Sequence, residues 1–155
     1  QRQHPEKFIP MCIRKVNDGD PITIHSDSTR TIPGSRFYIH AADVADAMQF
    51  LLELDDSKLE ADYGDAKCPK FNLVGKQEIN NLQLAQIIAD AQGKELKYEM
   101  MDFHSARPGH DLRYALDGDY MRKLGWEPKV ELTERIGEVV DWTLQNDRWL
   151  RCEDL

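Results

Sequence analysis

Phe71-Asn72-Leu73-Val74-Gly75 and, a few residues later, Asn80-Asn81-Leu82-Gln83-Leu84-Ala85-Gln86-Ile87-Ile88-Ala89-Asp90-Ala91-Gln92-Gly93 decide the fold class of this chain. The first run is short, apolar and closed by glycine, and predicts a strand ending in a turn. In the second, Leu84, Ile87, Ile88 and Ala91 recur at helical spacing. Asn80 or Asn81 is its cap in front and Gly93 its stop behind. Strand and helix patterns alternate on both sides of this pair, so the chain reads as mixed α/β.

Toward the amino end, Ile9, Cys12, Ile13 and Val16 predict a helix with Pro10 in its first turn and Gly19 as its stop. Pro21 to His25 alternates as a short strand, and Ser26 to Ser35 is a polar loop with Pro33-Gly34 as its turn signal. Arg36 to His40, aromatic and β-branched, predicts a second strand. Val44, Met48, Leu51 and Leu52 then define an amphipathic helix from about Ala42 to Leu54. Asp55 to Pro69 is an acidic surface loop.

Toward the carboxyl end, Lys97 to Met101 alternates as a strand, and Asp117 caps a short helix ending at Gly125. Thr133 caps the last helix, whose inner face is Ile136, Val139, Val140 and Thr143. Met100, Met101, Trp126 and Trp142 are expected in the core. The pattern amounts to about five helices with wide apolar faces, and strands too short and scattered to close one sheet. Such a chain covers something it does not itself contain, and Gln1 to Pro5 reads as a mid-protein loop.

At 155 residues, with a formal net charge of −8, the chain is sized for one compact domain and lacks the basic patch that a polyanion needs. Nucleic acid is therefore not an expected partner, and no apolar run approaches membrane-spanning length. A small anionic ligand needs only two or three well-placed cations and stays allowed. Cys12, Cys68 and Cys152 are spaced neither as a zinc site nor as a redox pair, which suits reduced thiols in the cytoplasm.

Nucleophile–base and glycine-rich phosphate-loop motifs are missing from the sequence; Gly64, Gly75 and Gly93 stand alone. His104 and His110 lack partners at ligand spacing, so no metal is expected. Arg107-Pro108-Gly109-His110-Asp111-Leu112-Arg113-Tyr114 stands out. An Arg before a Pro-Gly turn sits on extended backbone, and its planar fork matches phosphate oxygens. A salt bridge to the acidic surface is the alternative use for Arg107.

That run, followed by Ala115-Leu116-Asp117, resembles a segment of the dTDP-glucose 4,6-dehydratases, which are extended short-chain dehydrogenase/reductases. Pro5-Glu6-Lys7-Phe8-Ile9-Pro10, Pro21-Ile22-Thr23-Ile24-His25, Arg36 ahead of Asp43, Phe71 to Gly75, and Leu124-Gly125-Trp126-Glu127-Pro128 resemble further segments, in that family's order. The last is shared more widely among sugar-nucleotide epimerases and dehydratases. The likeness covers the whole chain but only the carboxyl-terminal half of that family.

The resemblance implies that residues 1–155 are a nucleotide-sugar-binding carboxyl-terminal domain of a longer enzyme, without its Rossmann domain. It implies that Lys7 and Phe8 border the nucleotide, and that Thr23, Ile24 and His25 lie along the base. Arg36 and Arg107 would grip the pyrophosphate, with Asn72 donating nearby and His110 at the same rim. Lys7 as a solvated helix-start lysine and Asn72 as a strand-end turn residue remain open. His25, Phe37-Tyr38 and Ala106 depart from the family, and the loop from Ser26 to Ser35 is longer, so base and hexose are undefined. Dehydratase, epimerase and non-catalytic binding module all stay open as readings.

The family uses NAD in its Rossmann domain and a helical Tyr-x-x-x-Lys pair. Tyr63 and Lys67 have that spacing but lie in the acidic loop beside Gly64 and Pro69, which oppose a helix. The expected partners are a nucleotide-diphosphate sugar and either the missing Rossmann domain or a second copy of the chain. The purified chain is expected to form no 4-keto-6-deoxy product from dTDP-glucose, with or without added NAD. Product in that assay overturns the absence of a catalytic half.

Overall fold

The structure, a computed structural model, describes residues 2–59, 69–103 and 111–151. The chain divides into two compact units, each built from separated stretches. The first comprises Gln1–Arg36, Ile79–Tyr114 and Thr133–Leu155, and the second Phe37–Glu78 and Ala115–Leu132. In chain order the described elements are α1 (Phe8–Asp18), β1 (Ile22–Ser26), β2 (Ser35–Arg36), α2 (Ala41–Glu53), a 3-10 turn (Asp56–Lys58), β3 (Ile79–Asn80), α3 (Asn81–Ala91), β4 (Tyr98–Asp102), β5 (Arg113–Tyr114), α4 (Asp119–Leu124), α5 (Leu132–Gln145) and α6 (Arg148–Arg151). The architecture is α/β, with helices and few short strands, as the sequence pattern predicts.

In the first unit, α1 and α3 pack on each other and on β1. Their apolar stripes supply Cys12, Ile13, Leu84 and Ile88, and β1 supplies Ile22 and Ile24, all fully buried. The inner face predicted for α5 is buried as expected: Ile136, Val139, Val140 and Thr143. Burial pushes the Cys12 thiol up to about 12, against a small opposing effect of Lys15, so it is an inert core residue. The carboxyl end of α1 gathers lysines: Lys94 Nζ donates to the Asn17 carbonyl at 2.7 Å and Lys97 Nζ to Gly19 at 3.1 Å. Cations there complement the exposed carbonyls and the helix dipole. At the start of α3, Asn80 and Gln83 form a reciprocal capping box.

Two ribbons complete this unit. β1 pairs in parallel with β4, from Ile22 opposite Tyr98 to Ser26 opposite Asp102. β2 lies between β3, antiparallel, and β5, parallel. Met101, expected in the core, is 37% exposed on β4.

The second unit has its own core of Ala47, Met121 and Trp126, with Ile39, Phe50, Leu51, Phe71, Leu73 and Leu124 against it. Trp126 Nε1 donates to Asp46 at 2.8 Å, so the buried indole has its polar end satisfied. The strands predicted over Arg36 to His40 and Phe71 to Val74 are not formed as such. Only Ser35–Arg36 pairs as β2, and Phe71 to Val74 is extended without a ladder partner among the described residues. Its alternation reflects burial: Phe71 and Leu73 face the core and Asn72 faces out, which needs an extended segment but no neighbouring strand. Gly75 is glycine for a physical reason, since a Cβ there would stand 2.0 Å from the Tyr38 carbonyl oxygen.

The predicted stripe of α2 is rotated. Ala47 and Leu51 meet the core, while Met48 and Leu52 are 58% and 88% exposed. Asp117 does serve α4, accepting from the Asp119 amide at 2.8 Å, although Gly118 occupies the cap position. Thr133 lies one residue inside α5, and α6 was not anticipated. Truncating Ile24 to Ala removes a fully buried side chain and is expected to cost about 3 kcal/mol in urea unfolding. Leu52→Ala is expected to stay within about 0.5 kcal/mol. Equal losses would mean that the α2 face is covered.

Candidate functional site

The site residues expected from the sequence fall mainly on the amino-terminal edge of α1 and on β1 and β2. Lys7 is the extended residue capping α1, exposed, and makes no side-chain cap bond; Phe8 opens the helix and is half-buried. Thr23, Ile24 and His25 share β1 but not one face. Ile24 is fully buried in the core, so only its main chain can border a ligand. Thr23 Oγ1 donates to Glu99 on β4 at 3.4 Å, and the His25 ring meets Phe103 edge-on at 5.6 Å.

Arg36 is brought next to this strand by the loop that follows it. Ser26 bridges Pro33, and the Gly34 amide donates to the His25 carbonyl at 3.1 Å. The loop is held by Asp27, whose carboxylate accepts from the Thr31 and Ile32 amides at 3.0 and 2.9 Å and from the Thr29 hydroxyl. The Thr29 hydroxyl bond first, and then the backbone donors, hold the Asp27 carboxyl down at about 2. On β2, Arg36 is half-buried, donates from Nη1 to the Ser35 carbonyl at 3.2 Å and holds its guanidinium carbon over the Tyr114 ring, 4.5 Å from the ring centre.

Arg107 and His110 lie outside the described residues, as do Tyr63 and Lys67. The chain is described again from Asp111, and its next residues form β5 beside Arg36. Asn72 belongs to the second unit, where its amide donates to the Asp117 carbonyl at 3.0 Å. That bond joins positions 45 apart in the chain and is not a local turn contact. Sequence reasoning missed Tyr114, Glu99 and Phe103 as neighbours of the site residues. Tyr114 stood in the quoted Arg107–Tyr114 run, but its contact depends on strand register.

A cavity of about 260 Å³ opens in the second unit, lined by Asn72, Lys76, Gly118, Arg122, Trp126 and Glu127 among others. Two of its cations are engaged within the unit. Lys76 pairs with Glu131 at 2.7 Å, which raises the lysine's pKa, and Arg122 pairs with Asp119. An anion there would have to displace these carboxylates, so the cavity is a poorer anion site than Arg36. Among the described residues, no group of three His, Cys, Asp or Glu is placed to hold a metal, and no helix is long and apolar enough to cross a membrane.

No protein-family model matches the chain. It is similar to the dTDP-glucose 4,6-dehydratase of Haemophilus influenzae, 31% identical over 148 residues that cover 93% of this chain and 41% of that protein. Among solved structures it is similar to DesIV, the dTDP-glucose 4,6-dehydratase of Streptomyces venezuelae, solved with NAD and TYD bound. That match has a TM-score of 0.69 and 27% identity, over 96% of this chain and 42% of that one. The UDP-glucose 4-epimerase of Thermus thermophilus, solved with NAD, shares the fold at 24% identity and a TM-score of 0.67, over 90% of this chain and 42% of that one. The chain spans about 40% of the length of the dehydratase-named relatives. Over nearly all of its own length it is similar to dTDP-glucose 4,6-dehydratases, and its architecture matches the carboxyl-terminal part of these extended short-chain dehydrogenase/reductases.

The loop that sets Arg36 beside β1 can be tested without a ligand. Because the folded Asp27 pKa lies below its ordinary value of 3.8, its stabilising contribution is present above that value and is lost as pH falls toward about 2. A carboxyl titration by NMR is expected to show Asp27 with a midpoint near 2, and the Thr31 and Ile32 amides losing protection in step with it. A midpoint at the ordinary aspartate value would show that Asp27 does not hold the loop.

Proposed function

We propose that this chain binds a nucleotide-diphosphate sugar, as the substrate-binding part of an enzyme like the dTDP-glucose 4,6-dehydratases. The observation that carries the reading is the setting of Arg36. The residue is half-buried on β2 with its guanidinium over the Tyr114 ring, and in the sequence the partner strand β5 follows closely on Arg107 and His110. A diphosphate spreads its charge over two phosphoryl groups, and guanidinium forks are the side chains best matched to them. In this reading Arg36 and Arg107 take the diphosphate and His110 lies at the same rim. Lys7 and Phe8 border the nucleotide, and Thr23, His25 and the main chain of Ile24 run along its base.

The chain's share of the work is binding and orientation. Relatives are solved with NAD, which supplies the hydride chemistry of such enzymes. Among the described glycines, Gly19, Gly93 and Gly125 end helices with positive φ, and Gly34 and Gly75 sit where backbone meets backbone.

Titration calorimetry on the full chain is expected to show binding of dTDP or UDP and none of the matching nucleosides. Arg36→Ala should weaken the diphosphate by about 1.5–3 kcal/mol, the range for hydrogen bonds to a charged group. Diphosphate binding unchanged in that variant, or equal binding of nucleosides, would overturn the assignment.

A further inference from the structure

We propose that Tyr114 is a positioning residue for Arg36, fixing the plane of its guanidinium so that the edge of the fork faces the diphosphate. The inference rests on the reading of Arg36 as a diphosphate ligand and deepens it.

The geometry begins at Gly34. A Cβ there would lie 2.9 Å from the Leu112 carbonyl oxygen, so only glycine lets β2 and β5 approach this closely. The Ser35 amide then donates to that same carbonyl at 3.0 Å, which pins the register. In that register Ser35 stands opposite Arg113, and Arg36 opposite Tyr114. Residues opposite each other on neighbouring strands project from the same face, roughly 4.8 Å apart. The Arg36 guanidinium carbon is accordingly 4.5 Å from the centre of the Tyr114 ring. Across the other side of β2, Ile79 stands opposite Arg36 and is buried.

Tyr114 itself is 46% exposed, so core packing does not account for an aromatic ring at this position. Stacking against the arginine does. A guanidinium is attracted to the ring by its flat face, whereas its N–H donors point outward in its own plane. The contact therefore restricts a long, rotatable side chain; Nη1 also donates to the Ser35 carbonyl at 3.2 Å, and the fork's remaining N–H groups are the ones offered to phosphate oxygens. Holding the fork in advance reduces the ordering cost that an unrestrained arginine meets on binding.

The test uses the full chain and inorganic pyrophosphate, which has phosphate oxygens but no base on which a tyrosine can stack. Arg36→Ala is expected to weaken pyrophosphate about tenfold or more. Tyr114→Leu is expected to weaken it roughly two- to fivefold, and Tyr114→Phe, which keeps the ring, to stay within about twofold of the parent. The double variant Arg36→Ala with Tyr114→Leu should bind no worse than Arg36→Ala alone. In the parent and in Tyr114→Phe, the Arg36 Hδ protons should show an upfield ring-current shift that Tyr114→Leu removes. Arg36-dependent binding that ignores Tyr114→Leu, additive losses in the double variant, or an unshifted Hδ resonance in the parent overturns the positioning role alone. Pyrophosphate binding indifferent to Arg36→Ala overturns the underlying reading, and this inference with it.

Discussion

One residue without a side chain holds the first unit's site region together. Gly34 donates its amide to the His25 carbonyl, gives its own carbonyl to the Asn81 amide and lies against the Leu112 carbonyl, where a Cβ would not fit. Through those contacts the end of β1, the start of α3 and the strand β5 meet at the root of β2. Each partner is a main-chain group, so the arrangement tolerates little displacement: moving one strand breaks hydrogen bonds in a region with few others to replace them. The arginine two residues later inherits its position from this junction.

What surrounds the junction is ordinary packing physics. The apolar stripes of α1, α3 and α5 bury Ile13, Leu84, Ile88 and Val140 completely, and β1 adds Ile22 and Ile24 on its inner face. The outer face of the same strand then carries Thr23 and His25, because successive side chains on a strand point opposite ways. A strand with one face in the core and the other presenting polar and aromatic groups is a suitable edge for a ligand. The Asp27 loop returns the chain from that edge to Arg36, held by a carboxylate on backbone amides and not by burial.

The second unit obeys the same rules with its own small core around Ala47, Met121 and Trp126. Its polar side chains are largely turned on one another, Asn72 on Asp117, Lys76 on Glu131, and Asp46 on Trp126 and Lys129. These bonds tie the unit's polar side chains to one another, and two cations of the cavity lining, Lys76 and Arg122, already face carboxylates there.

The amino-acid sequence by itself located the helices α1 to α5, though not α6. The stripes of α1 and α5 and the Gly19 and Gly125 stops appear where the spacing placed them, and Asn80 is the one of its two cap candidates that caps α3, because helix hydrogen bonds and caps are local. Of the stripe predicted for α3, Leu84 and Ile88 are buried, while Ala85 and Ala89 join them in place of Ile87 and Ala91. The sequence also marked Arg36 as a residue of interest, through likeness to a family. Only the tertiary structure decided which extended segments are strands: Phe71 to Val74 has the apolar run but no ladder partner among the described residues, while Ile79–Asn80 and Arg113–Tyr114 each pair over two residues. Strand pairing joins residues far apart in the chain, so no local pattern encodes it. The rotation of α2, with Leu51 on the core and Leu52 in solvent, and the stacking of Arg36 on Tyr114 follow from the same physical fact. Both depend on what stands opposite, and that is set by packing and register.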